Sequence, residues 1–134
     1  MRAMGVRIDG RTVLLAGSVV FAFALLSQVA FELVDNAVDF DADSNWPFAF
    51  YAVFLIGVVL GGWMAGRARP EAPLAHGSLA AMGALIAIAI VTVVIDAAFG
   101  HGIVANLVKL VAQFPAIVAL AALIAYFVAR RAVR

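Results

Sequence analysis

Apolar residues fill four long stretches of this chain, and short polar clusters separate them. About 20 apolar residues in a helix cross the roughly 30 Å hydrocarbon core of a bilayer. The first stretch, residues 12–34, is interrupted only by Gly17, Ser18, Ser27, Gln28 and Glu32. Residues 47–65 and 78–99 form the second and third. The fourth, 114–131, has an uninterrupted part from Phe114 to Ala129 that reaches only about 24 Å as a helix. The pattern predicts an all-α fold, a bundle of four transmembrane helices forming one domain over residues 1–134.

Residues 103–113 carry a different pattern. Asn106, Lys109 and Gln113 fall on one helical face, while Val104, Leu107, Val108 and Val111 populate the other. That spacing describes an amphipathic helix. It either lies on the outer surface and breaks at Phe114-Pro115, or runs on into the fourth span with a kink. A continuous helix would be overlong for a bilayer, which favours the break and a separate surface helix.

Composition sharpens the class. Hydrophobic residues make up 66% of the 134 and charged residues 13%, against about 45–50% and about 25% in soluble domains. A water-soluble globule of this size cannot hide so much apolar surface. Arg2, Arg7 and Arg11 precede a first span containing Ala22-Phe23-Ala24, which imitates a leader-cleavage site. Apolar residues continue well past it, so a retained helix is expected.

The arginines predict the orientation. Arg2, Arg7 and Arg11 lie before the first span, Arg67 and Arg69 after the second, and Arg130, Arg131 and Arg134 after the fourth. With four spans these three places share one side, and the positive-inside rule makes both termini cytoplasmic. The other side carries Asp35, Asp39, Asp41 and Asp43 in one loop and Lys109 in the next. Eight arginines against a single lysine, with abundant Ala, Val and Gly, read as GC-rich coding and point to a bacterial plasma membrane.

Little reactive chemistry is legible. Cysteine is absent and net charge is +1, so no thiolate site and no field for nucleic acid is expected. The acidic run Asp39-Phe40-Asp41-Ala42-Asp43 lacks the glycine and glutamate of a calcium loop and reads as a solvated loop. His76 and His101 fall on opposite predicted sides, so no shared metal or haem is expected. Ser18 and Ser27 have no histidine at their depth, and no phosphate-binding loop is present. Neither catalysis nor a cofactor is expected.

Ionisable groups inside a membrane are functional candidates. Glu32 and Asp96, with Gln28 and Thr92 one turn deeper, sit near the outer edge rather than the midplane. They are expected to form a polar cluster with His101 and Lys109 beneath the amphipathic segment. Small multidrug exporters of similar length place an essential glutamate mid-membrane in their first helix; Glu32 lies too far out for that role.

Small residues predict helix contacts. Gly57, Gly61 and Ala65 share one face of the second span, Gly62 and Gly66 a neighbouring one, and Gly77 and Gly83 begin similar runs in the third. The short Arg67–Pro73 connection makes these two helices neighbours, so their glycine faces are expected to meet; pairing of two copies is the alternative use. The stretch Gly61-Gly62-Trp63-Met64-Ala65-Gly66-Arg67, followed by His76-Gly77 and Gly83, resembles a pattern in small uncharacterised bacterial four-helix membrane proteins. The resemblance covers about a fifth of the chain and implies the four-span fold but no activity.

These features lead to an expectation of function. The chain reads as a non-catalytic accessory or scaffold subunit of a larger membrane complex, with lipid and other integral subunits as partners. A small homo-oligomeric transporter or channel is the alternative.

Overall fold

The computed structural model describes residues 7–37, 46–100 and 102–132. The acidic residues Asp39, Asp41 and Asp43 and the candidate His101 lie outside the described residues. The described residues form four helices: α1 (Gly10–Ala37), α2 (Trp46–Ala68), α3 (Pro73–Phe99) and α4 (Ile103–Ala132). Each is long and apolar enough to cross a membrane, as befits a multi-pass membrane protein.

Local signals set several ends. Pro73 stands in the first turn of α3, where its missing N–H breaks no helical bond. Gly100 ends α3 with φ 71°, a left-handed conformation that glycine adopts at no steric cost. Its N–H donates to the Asp96 carbonyl.

Pro115 does not end a helix. Residues 103–113 run without interruption into α4, which has 30 residues and is about 45 Å long. The expected break and separate surface helix are therefore corrected. Proline deprives the Val111 carbonyl of its usual donor, but Leu110, Phe114, Ile117 and Val118 form one apolar stripe that packs on the core across it. Packing on both sides outweighs the single lost bond.

Asn106, Lys109 and Gln113 of this segment line an open cavity shared with the other helices. Asn106 is half-buried, whereas Lys109, Gln113, Val104 and Val108 are exposed.

Small side chains dominate the core. Eleven of the seventeen buried hydrophobics among the described residues are alanine, while Leu14, Leu33, Ile90 and Phe127 face outward. In lipid, exclusion of apolar groups supplies little force between helices, and close approach through small residues takes over. α1 and α4 each pack against α2 and α3, which also touch one another, and no contact joins α1 to α4.

The glycines follow this arrangement rather than the expected one. Gly57 and Gly61 lie against Phe23, Val20 and Ala16 of α1, while Gly62 and Gly66 lie against Ala121 and Ala125 of α4. Gly77 of α3 also meets Ala121 and Ala125, and Gly83 has open space beside it. The glycine faces of α2 and α3 do not face each other, because the two faces of α2 each accept a different outer helix. Gly83 makes no packing contact of the kind expected.

Candidate functional site

Polar side chains gather at the two ends of the bundle. At the end bearing the α2–α3 turn, Asp9 precedes α1, and its carbonyl accepts the Val13 N–H at 3.1 Å. Its carboxylate caps the helix: Oδ1 accepts the Arg11 N–H at 3.2 Å, and Oδ2 accepts the Thr12 hydroxyl at 2.7 Å. Such a cap satisfies backbone donors that a helix start leaves free.

Arg69 reaches the same oxygen from the α2–α3 turn. Its Nε donates to Asp9 Oδ2 at 2.8 Å and its Nη2 at 2.6 Å, and Nη1 reaches Glu71 at 3.4 Å. The Thr12 hydroxyl bond, then the Arg69 bonds, hold the Asp9 carboxyl down to about 2 from an ordinary 3.8. Asp9 in turn raises the Arg69 guanidinium above its usual value.

His76 completes this junction from the first turns of α3. It is fully buried, with Nδ1 2.7 Å from the Ala72 carbonyl and Nε2 accepting the Asp9 backbone N–H at 2.9 Å. An Nε2 that accepts has no proton, so Nδ1 carries it and the ring is the neutral Nδ1–H tautomer. The sequence marks His76 only as part of the glycine-rich hairpin pattern and shows neither its burial nor its link to α1. Sequence reading passes over Asp9 and takes Arg69 only as a sign of orientation. An Asp three residues before Thr12, at the start of an apolar run, is an N-cap signal that could have found Asp9.

This junction is chemically spent. A carboxylate whose affinity for protons is this low makes a poor base near neutrality. Both nitrogens of His76 are committed as well.

The opposite end holds a cavity of about 350 Å³ to which all four helices contribute. Its polar lining is Ser27, Gln28, Thr92, Asn106, Lys109 and Gln113, set among Phe31, Phe50 and Phe54. Ser27 donates to the Phe50 carbonyl, tying α1 to α2. The Gln28 amide donates to the Thr92 hydroxyl at 3.3 Å, tying α1 to α3, while its Oε1 is buried without a hydrogen-bond partner. Asn106 donates to Asp96 Oδ2 at 3.1 Å, tying α4 to α3.

The expected outer cluster is thus placed residue by residue. Gln28 and Lys109 line the cavity; buried Asp96 stands beside it through Asn106; half-buried Glu32 is not part of the lining. Asn106 and Gln113, first noticed only as an amphipathic face, belong to the site. Among the described residues no group of three potential metal ligands converges. No known protein family, characterised protein or solved structure matches this chain.

Proposed function

We propose that this chain is a non-catalytic accessory or scaffold subunit of a larger assembly in a bacterial plasma membrane, with both termini cytoplasmic. The observation that carries the reading is the committed Asp9–Arg69–His76 junction. At that end Asp9, Arg69 and His76 are consumed in fixing α1 to the α2–α3 turn. The outer flanks of α1 and α4, free of one another, present leucine, valine and phenylalanine side chains for lateral docking. The orientation rests on Arg11, Arg67, Arg69, Arg130 and Arg131, which the alternating helices bring to one end.

The test is extraction in a mild detergent followed by native mass spectrometry. Stoichiometric co-purification with larger, different subunits supports the proposal. A pure homo-oligomer whose proton-coupled flux disappears on Glu32→Gln overturns it.

One observation favours a second reading, the small homo-oligomeric transporter or channel. Polar groups inside a membrane protein mark pathways, and the cavity around Gln28, Thr92, Asn106 and Lys109 draws on every helix. Flux through reconstituted protein that falls on Gln28→Leu supports this reading; unchanged flux removes it.

A further inference from the structure

A second concavity lies on the outside of the bundle, at the end opposite the polar cavity. Val59, Leu60 and Trp63 of α2 form one wall, Ile124, Phe127 and Val128 of α4 the other, and Arg131 stands at one end. Its volume is about 560 Å³. Close approach of the two helices makes the floor: Gly62 lies against Ala121 and Ile124, and Gly66 against Ala125. A step of four residues on one helix matches a step of four on the other, so α2 and α4 run in the same direction and in register.

Both walls therefore follow the same order toward the same end. On α2, Val59 is succeeded by Trp63 and then Arg67, one turn apart each time; the Arg67 guanidinium lies 5.1 Å from the Trp63 ring centre. On α4, Ile124 is succeeded by Phe127 and Val128 and then Arg131. Apolar side chains, an aromatic level and the Arg131 guanidinium succeed one another along the groove, and Arg67 adjoins it through its contact with Trp63. Trp63 and Phe127 are 42% and 57% exposed. No residue lining the groove is acidic.

We propose that this groove binds one anionic phospholipid, with an acyl chain along Val59, Leu60, Ile124, Phe127 and Val128 and the phosphate between Arg67 and Arg131. An acyl chain fits the apolar walls, and Trp63 stands at the level where indole prefers the headgroup boundary. Guanidinium recognises phosphate through paired planar N–H donors. The two arginines also offset the partial negative charge of the α2 and α4 C-termini, which would otherwise repel an anion. Selectivity follows from net charge, because a choline lipid brings its own cation to the two arginines and a glycerol headgroup does not. Basic sites between membrane helices use the same chemistry.

The experiment uses the full chain purified in an uncharged detergent, with phosphatidylglycerol and phosphatidylcholine of matched chains at equal concentration. Native mass spectrometry is expected to give one phosphatidylglycerol adduct, preferred at least tenfold. Arg67→Gln and Arg131→Gln each weaken it about fivefold and together about 25-fold, while Arg11→Gln, on another helix at the same end, leaves it unchanged. A second measurement needs no arginine variant to fold: in Trp46→Phe, where Trp63 is the sole tryptophan, chain-brominated phosphatidylglycerol quenches fluorescence more than brominated phosphatidylcholine. Equal binding or quenching by the two lipids overturns the proposal, as does equal loss in Arg11→Gln. Displacement of the adduct by inorganic phosphate alone also overturns it. So does a stable lipid-free dimer that Arg67→Gln and Arg131→Gln dissociate.

Discussion

The backbone N–H of Asp9 ends on Nε2 of His76, 2.9 Å away and 67 residues along the chain. One buried imidazole thereby closes α1 onto α3 while its other nitrogen holds the Ala72 carbonyl at the start of α3. Replacing His76 with Phe keeps an aromatic ring but leaves the Asp9 N–H without its partner, while the Ala72 carbonyl keeps the bond it accepts from the backbone N–H of residue 76. Unsatisfied buried groups cost about 1–3 kcal/mol each. His76→Phe is therefore expected to lower unfolding stability in mixed micelles by that order, with helical content unchanged before unfolding.

The Asp9–Arg69 pair makes stability depend on pH in a defined window. The folded carboxyl titrates at about 2 against an ordinary 3.8, so the pair's contribution is complete above the unfolded value and is lost as pH falls through the folded one. Arg69 is raised and stays charged throughout this window. Asp9→Asn is expected to be less stable than the parent chain at pH 7, with the difference shrinking between about pH 4 and pH 2. Unfolding curves of both proteins across that range check it; a difference independent of pH contradicts the assignment.

The glycines make a paired prediction. A methyl at Gly66 meets the Ala125 backbone, which cannot swing aside, so Gly66→Ala is expected to destabilise by about 1–3 kcal/mol. A methyl at Gly83 meets nothing within 4 Å, and Gly83→Ala gains up to about 1 kcal/mol of helix propensity. Steric-trap unfolding of the two variants separates them by sign.

Spin labels at single cysteines, placed in a chain that has none of its own, test the cavity face of α4. Labels at Val104, Val108 and Val111 are expected to collide readily with oxygen dissolved in lipid. Labels at Asn106, Lys109 and Gln113, which line the open cavity, are expected to favour a water-soluble nickel reagent. A reversed pattern would contradict a water-filled cavity on that face.

What the sequence carried, and what it did not, has a physical pattern. Apolar runs of the right length located all four helices, because lipid solvation demands such runs of any spanning helix. The continuous α4 was missed because Pro115 is a local signal, whereas the stripe of Leu110, Phe114 and Ile117 that overrides it needs α2 and α3 to pack against. The glycine faces were legible on α2, but their partners depended on which helices flank it, and chain order alone favoured α3 over α1 and α4. At the end opposite the α2–α3 turn, Gln28, Asp96 and Lys109 stood out as polar residues among apolar ones. Asp9 and Arg69 did not, because in flanking segments charged residues are expected and their pairing spans 60 positions.

The central claim, lateral docking within a larger assembly, is tested most directly by photo-crosslinking in the native membrane. A photoreactive residue replaces in turn Leu14, Leu26 and Leu33 on the exposed flank of α1, and Val108 and Leu123 on α4. The account predicts a stoichiometric adduct with one different membrane protein, formed from one flank and absent from the other. Adducts only to lipid, or only to a second copy of this chain, would contradict it.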